Sequence, residues 1–245
     1  MKILTKIFAH RGASGEYPEN SMLAFQAAEE AGADGIELDV QLSKDGEVVI
    51  IHDETLNRTT NGSGWVKDHT FQQLSRLNAN AKYRRMKAPL PSLQELLEWL
   101  TSNSLICNIE LKNGVILYPQ LEEKVIELVQ RYSLQDRIII SSFNHYSIVK
   151  CYSLAPSIEI APLYNMRLYM PWVYAKSIRA KGIHPKLRAA PPEIIKAAME
   201  EGIEVRPYTV NKERDMRKLI KLNCSAFFTD YPKRAKVLVE EMKKA

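Results

Sequence analysis

The stretch Asp34-Gly35-Ile36-Glu37-Leu38-Asp39-Val40-Gln41-Leu42 alternates acidic and aliphatic side chains with a period of two. In an extended strand, residues two apart share a face, so Glu37 and Asp39 point one way while Ile36, Leu38 and Val40 point the other. Two carboxylates on one face repel. If that face is buried, a divalent cation held by oxygen ligands is the simplest compensation; a wet acidic edge is the bland alternative. The run Leu105-Ile106-Cys107-Asn108-Ile109-Glu110-Leu111-Lys112 repeats the spacing with Glu110 and Lys112. Parallel strands of one barrel converge at one mouth, where Glu37, Asp39 and Glu110 would share a cation. Lys112 beside them would face a negative group bound to that metal, or else form a salt bridge to Glu110 or Asp39.

Working outward, apolar strands are expected near Lys6 to Ala9, Gly35 to Val40, Leu105 to Leu111, Arg137 to Ser141, Ile158 to Leu163, Gly182 to His184, Glu204 to Thr209 and Ala226 to Thr229. A helical pattern follows each: Asn20 to Ala31, Ser92 to Leu100, Tyr118 to Tyr132, Asn144 to Leu154, Met170 to Ala180, Pro192 to Glu201, Lys212 to Leu222 and Pro232 to Met242. This alternation predicts an α/β fold, a (β/α)8 TIM barrel over residues 1–245 as one domain, in preference to an open doubly wound sheet. The segment from about 42 to 91 is too long for an ordinary connection and reads as a small insertion over the mouth, between the second strand and second helix. It carries a possible short helix from Phe71 to Leu77 and a basic patch, Lys82-Tyr83-Arg84-Arg85, best read as solvated surface.

Two histidines accompany the carboxylates. In Ala9-His10-Arg11-Gly12-Ala13-Ser14-Gly15-Glu16-Tyr17-Pro18-Glu19-Asn20-Ser21, an acid/base group and a guanidinium suited to phosphate meet a glycine turn, and Asn20 or Ser21 can cap the next helix. Gln41 to Asp53 reads as strand, Asp-Gly turn, strand. With a turn from Ser43 to Gly46, Leu42 pairs with Glu47 and Glu37 with His52, which returns His52 to the acidic face.

The formal charge is +5, with basic residues scattered and without aromatic interleaving, so a nucleic-acid platform is not expected. Cys107, Cys151 and Cys224 make an odd set without framework spacing and read as buried thiols. His10 leaves no room ahead of it for a signal sequence, and no apolar run approaches the ~20 residues that span a bilayer. A cytoplasmic protein without stable membrane insertion is expected.

These blocks, in this order, resemble the glycerophosphodiester phosphodiesterase family. The likeness rests on Ala-His-Arg-Gly with Pro-Glu-Asn-Ser, on Gly-Ile-Glu-Leu-Asp-Val-Gln-Leu-Ser-Lys-Asp-Gly with Val-Ile-Ile-His-Asp, on Leu56-Asn57-Arg58-Thr59-Thr60 and on Asn108-Ile109-Glu110-Leu111-Lys112. Weaker echoes are Ser141-Ser142-Phe143, Tyr208-Thr209-Val210-Asn211 and Phe228-Thr229-Asp230-Tyr231-Pro232. The resemblance implies metal-dependent hydrolysis of a small phosphodiester to glycerol 3-phosphate and an alcohol, with the glycerol 2-hydroxyl or water as nucleophile. His10 and His52 would move protons, and Glu37, Asp39 and Glu110 would hold one divalent cation. Hard oxygen donors favour Mg²⁺ or Ca²⁺. Arg11, Lys112, Phe143 and Tyr208 would bind substrate; Tyr208 stands where the family usually has tryptophan. One alternative is a lysophospholipase D, with an apolar groove from Tyr164, Met166, Leu168, Tyr169, Met170, Pro171 and Trp172. A noncatalytic phosphate-ligand binder is a more distant one, since a binder has no need of two histidines around a metal.

Overall fold

The computed structural model describes residues 4–79, 82–83 and 85–244. Its strands are β1 (Lys6–Ala9), β2 (Gly35–Leu42), β3 (Val48–Ile50), β4 (Ile106–Leu111), β5 (Ile138–Ser142), β6 (Glu159–Tyr164), β7 (Gly182–Pro185), β8 (Glu204–Val205) and β9 (Ala226–Thr229). The helices are α1 (Met22–Glu30), α2 (Phe71–Leu74), α3 (Leu93–Leu100), α4 (Leu121–Arg131), α5 (His145–Leu154), α6 (Pro171–Ser177), α7 (Pro192–Glu200), α8 (Glu213–Lys221) and α9 (Pro232–Lys244). Eight parallel strands run in the order β8-β7-β6-β5-β4-β2-β1-β9, with β3 antiparallel to β2 outside the barrel. The expected (β/α)8 architecture is therefore the one observed, with its insertion between β2 and α3.

The barrel is built on the period of two. Outward residues such as Ile36, Leu38, Val40, Cys107 and Ile109 are fully buried against the helices. Inward residues fill the lumen in layers: Phe8, Ile139, Ala161, Ala226 and Phe228 form an apolar plug, and Glu37, Asp39 and Glu110 lie on the same inward face nearer the strand ends. Because every residue of β2 is buried, the wet-edge alternative is excluded.

The segment Glu204 to Thr209 is less regular than expected. Only Glu204–Val205 keeps strand form, because Pro207 has no N–H to give. The chain beyond still closes the barrel: Tyr208 N donates to Pro185 O (3.0 Å), Phe228 N to Pro207 O (3.0 Å) and Val210 N to Phe228 O (2.8 Å).

The hairpin register differs by one residue from the expected one. Leu42 pairs with Val48, and Ser43 N donates to Glu47 O at 3.0 Å. The loop holds three residues, with Gly46 at φ 78, because Ser43 Oγ accepts from Glu47 N (2.9 Å) and Gly46 supplies the left-handed position of a bulged turn. The Glu37–His52 pairing is thereby lost. His52 reaches the mouth by another device: the buried Gln41 amide donates to the carbonyls of Ile51, His52 and Asp53 (3.0, 3.1 and 2.7 Å) and bends the chain over the barrel.

The insertion packs its own small core of Val49, Ile51, Leu56, Val66, Leu74, Ala79 and Leu90. Its Tyr83 hydroxyl donates to Gly15 O at 2.7 Å, tying it to the loop after β1. Lys82 and Arg85 of the basic patch are exposed, and Arg84 lies outside the described residues. No described helix is long and apolar enough to cross a membrane, and all three cysteines are free and buried.

Two glycines separate backbone strain from steric exclusion. A Cβ on Gly46 meets only the flexible end of Lys124 (3.3 Å), whereas on Gly12 (φ 76) it lies 2.6 Å from the Ala24 carbonyl carbon in α1. Gly46→Ala should lower stability by about 1–2 kcal/mol, the cost of a left-handed L-residue, and Gly12→Ala by distinctly more. Urea-unfolding midpoints measure both; an equal or reversed ranking contradicts the packing at Gly12.

Candidate active site

Glu37 and Asp39 on β2 and Glu110 on β4 bring one carboxylate oxygen each within 4.8 Å of one another. Neighbouring strands in register place Asp39 opposite Glu110. Glu37 is 4 % and Asp39 1 % exposed. At that spacing and an effective dielectric of about 20, each charged pair repels by about 3.5 kcal/mol. Burial first, then the charges of Asp39 and Glu110, pushes the Glu37 carboxyl well above its usual range. Glu110 is raised by burial and by Asp39, against the pull of Lys112. For Asp39, burial acts upward, yet Arg11, His52, Lys112 and the Asn20 amide outweigh it and bring the group down to about 2.

The protein supplies cations and N–H donors to this cluster but leaves a gap. Arg11 N donates to Glu37 Oε2 (2.8 Å), Asn20 Nδ2 to Asp39 Oδ2 (2.9 Å) and Lys112 Nζ to Glu110 Oε1 (3.0 Å). The Arg11 guanidinium forms an ion pair with Asp39 at 3.3 Å. Asp39 Oδ1 is buried without a hydrogen-bond partner. A buried carboxylate oxygen without a donor, two carboxylates nearby and hard oxygen chemistry fit a divalent metal ion, which the three residues can hold.

Local backbone explains how the first loop serves this cluster. Arg11 (φ 55) and Gly12 (φ 76) turn left-handed directly after β1, with Asn20 N bonded to Arg11 O at 3.0 Å. Ser21, with its Oγ accepting from Ala24 N (3.2 Å), caps α1. Asn20, the other candidate cap, is itself left-handed (φ 57) and spends its amide on Asp39.

Each histidine is held by a carboxylate at Nδ1. His10 Nδ1 donates to Asp230 Oδ1 (2.7 Å), and Asp230 accepts further bonds from Asn211 Nδ2 (2.6 Å) and Ser14 Oγ (3.2 Å). His52 Nδ1 donates to Asp53 Oδ1 at 2.6 Å. An ionised carboxylate only accepts, so Nδ1 carries a proton in each ring and Nε2 is the nitrogen left to exchange one. Lys112 Nζ donates to His52 Nε2 at 3.2 Å. The Arg58 hydrogen bond holds Asp53 at about 2, against burial. Arg58 Nη1 and Nη2 then grip both oxygens of Glu19 (2.8 Å each), and Glu19 Oε1 accepts from Arg11 Nη1 (2.8 Å). A chain of alternating charge thus runs from Asp53, the partner of His52, through Arg58, Glu19 and Arg11 to Asp39.

The structure brings His10, Arg11, Glu37, Asp39, His52, Glu110 and Lys112 together as the sequence suggested. Lys112 bonds to Glu110 and to His52. Tyr208 and Phe143 meet edge to face with centroids 6.1 Å apart at the rim. The Tyr208 hydroxyl donates to Tyr164 O (3.2 Å); burial, then Glu110, raises the phenol's pKa. The apolar groove suggested by the segment from Tyr164 to Trp172 is not formed as such. Tyr164 at the end of β6 and Pro171 at the start of α6 are buried, and Leu168 and Trp172 pack on the core.

The sequence patterns by themselves do not mark Asp230, Asp53, Glu19, Arg58 and Asn20 as parts of the site. For Asp230 a signal existed: the first and last strands of a closed barrel are neighbours, and Phe8 pairs with Phe228 and Ala9 with Thr229, which leads His10 to Asp230. For Glu19, Arg58 and Asn20, nothing in the spacing announces the pairing.

Comparison with known proteins agrees with this geometry. The model of the glycerophosphoryl diester phosphodiesterase family matches residues 10–234. A glycerophosphodiester phosphodiesterase of Bacillus altitudinis is 45 % identical, covering 98 % of this chain and all of its own. One from Caldanaerobacter subterraneus subsp. tengcongensis is 43 % identical over 93 % of this chain and 95 % of its own. Among solved structures, an Oleispira antarctica phosphodiesterase in complex with the product sn-glycerol-3-phosphate superposes with a TM-score of 0.91 at 28 % identity, covering 97 % of each chain. The chain belongs to the glycerophosphoryl diester phosphodiesterase family and is an enzyme of that phosphoric diester hydrolase class.

Proposed function

We propose that this enzyme hydrolyses small glycerophosphodiesters to glycerol 3-phosphate and an alcohol in a reaction that depends on one divalent cation, Mg²⁺ or Ca²⁺. One observation carries the reading: three carboxylates within 4.8 Å of one another lie beside two histidines that are each anchored at Nδ1 by a carboxylate. The product bound to the Oleispira antarctica phosphodiesterase supports the substrate class.

In the net reaction water adds its hydroxyl to phosphorus, the bond to the alcohol oxygen breaks, and a proton ends on that oxygen. Phosphodiesters resist this because their anionic oxygens repel nucleophiles and an alkoxide leaves poorly. A cation held by Glu37, Asp39 and Glu110 supplies Lewis-acid polarisation and charge neutralisation at the phosphate. Arg11 and Lys112 hold the phosphate and take up charge as it develops. His10 and His52 divide the proton transfers at Nε2, one as base and the other as acid. Asp230 and Asp53 keep a proton on each Nδ1, so that Nε2, bare in the base and protonated in the acid, is the nitrogen that exchanges the proton. Phe143 and Tyr208 wall the space for the alcohol group. The reading takes 1–245 as one catalytic domain, and the buried free cysteines suit the cytoplasmic setting we assign.

Release of glycerol 3-phosphate from glycerophosphocholine should fall to background after exhaustive chelation and return with Mg²⁺ or Ca²⁺. Full turnover of the metal-free protein would remove the cation from the mechanism. His10→Ala and His52→Ala should each lower kcat by about 10²- to 10⁴-fold with metal affinity nearly unchanged. Asp230→Asn should follow His10→Ala in direction, because the amide no longer enforces the Nδ1–H tautomer. A change in KM alone in any of the three would make that residue a substrate holder instead.

A further inference from the structure

The rim of the barrel mouth is divided in two. The connections after β4, β5 and β6 are adjacent in the barrel, and together with the first turn of α5 they expose Val115, Leu117, Phe143, Tyr146, Met166 and Tyr169. Tyr146 and Tyr169 are each 91 % exposed. Eleven of the fifteen large hydrophobic side chains exposed among the described residues lie between Val115 and Tyr174, and all but Leu154, at the far end of α5, belong to the connections after β4, β5 and β6 or to the parts of α5 and α6 nearest them, so the distribution is not the scatter of an ordinary surface. Phe143, Tyr146, Val149, Tyr174 and Ile178 also line a shallow groove of about 630 Å³ between α5 and α6. A glycerophosphodiester is too polar to account for any of this.

The other side of the same rim is basic. Lys186 and Arg188 after β7, and Lys212 before α8, are exposed, and Arg167 extends the set back to the β6 connection. Lys82 and Arg85 of the insertion are exposed as well. Aromatic and aliphatic side chains next to exposed cations around one opening are the two features that hold a protein at an anionic lipid surface: apolar groups enter the headgroup boundary, while Lys and Arg meet the negative potential.

We propose that the mouth face docks on an anionic bilayer, with the apolar arc seated in the interface and the basic arc against the lipid phosphates. Docking presents the opening to the membrane without any spanning helix. It goes beyond the hydrolysis proposed above and does not rest on it, since binding is measured without turnover.

The test is sedimentation of the full-length protein with vesicles of phosphatidylcholine alone or of phosphatidylcholine and phosphatidylglycerol in equal parts, at low and high salt. The wild type should partition onto the anionic vesicles and be released in part by salt. Tyr146→Ser with Tyr169→Ser should weaken partition at least tenfold. Arg167→Gln with Lys186→Gln should weaken it by about fivefold per charge removed, and mainly at low salt. Neither pair belongs to the catalytic machinery, so turnover of glycerophosphocholine should stay within twofold and report an intact fold. Absence of wild-type binding to anionic vesicles overturns the proposal without reference to any variant. Equal binding by the tyrosine pair and the wild type also overturns it. So does a concentration-dependent wild-type dimer, seen by sedimentation velocity, that the tyrosine pair dissolves while vesicle binding is absent, because the apolar arc then covers a second copy of the chain.

Discussion

Three carboxylates that must share one buried mouth govern the design of this molecule. Their oxygens lie within 4.8 Å of one another at the end of a packed lumen, where unshielded negative charge costs more than in water. Each nearby peculiarity of the chain answers that repulsion. The left-handed turn at Arg11 and Gly12 delivers a backbone N–H to Glu37. The left-handed Asn20 gives its amide to Asp39, and Lys112 leans back on Glu110. What these donors leave, Asp39 Oδ1, is an oxygen that a metal ion can use.

The same electrostatics joins the insertion to the barrel. Arg58 lies within the insertion, yet its guanidinium is divided between Asp53, which orients His52, and Glu19, which orients Arg11. With the Tyr83 hydroxyl on Gly15 O, the insertion is fixed to the β1–α1 loop at two points. The bidentate contact adds geometric definition that a lysine cannot give.

The histidines show how environment sorts identical side chains. His184 on β7 is fully buried, meets Phe228 edge to face and has Arg206 3.3 Å from Nε2. Burial, then that guanidinium, pushes its pKa well below the usual value, and its Nδ1 has no partner, so it serves as a neutral core group. His10 and His52 are instead partly exposed, each with a carboxylate at Nδ1. An imidazole so arranged can exchange a proton with a ligand; one sealed among apolar rings cannot.

The sequence alone determined the strands, the inward face of each and the acidic and imidazole residues at their ends. A period of two in Glu37, Asp39 and Glu110 and the eight strand-helix alternations are local facts, and local sterics convert them directly into faces and crossovers. The family resemblance added the chemistry those ends would perform. Tertiary structure decided what depends on contacts across long separations or on one turn's geometry. His10 meets Asp230 across 220 residues through closure of the barrel, and Arg58 meets Glu19 across 39, a pairing that spacing does not encode. One bulge residue at Gly46 shifted the hairpin register, and the Gln41 amide, not strand pairing, carried His52 to the mouth. The segment from Tyr164 to Trp172 is apolar enough to read as a groove, but Tyr164 at the end of β6 and Pro171 at the start of α6 are buried, and the exposed apolar arc is completed by the connections after β4 and β5. Hydrophobicity is a property of the residue, whereas exposure is decided by what the rest of the fold lays over it.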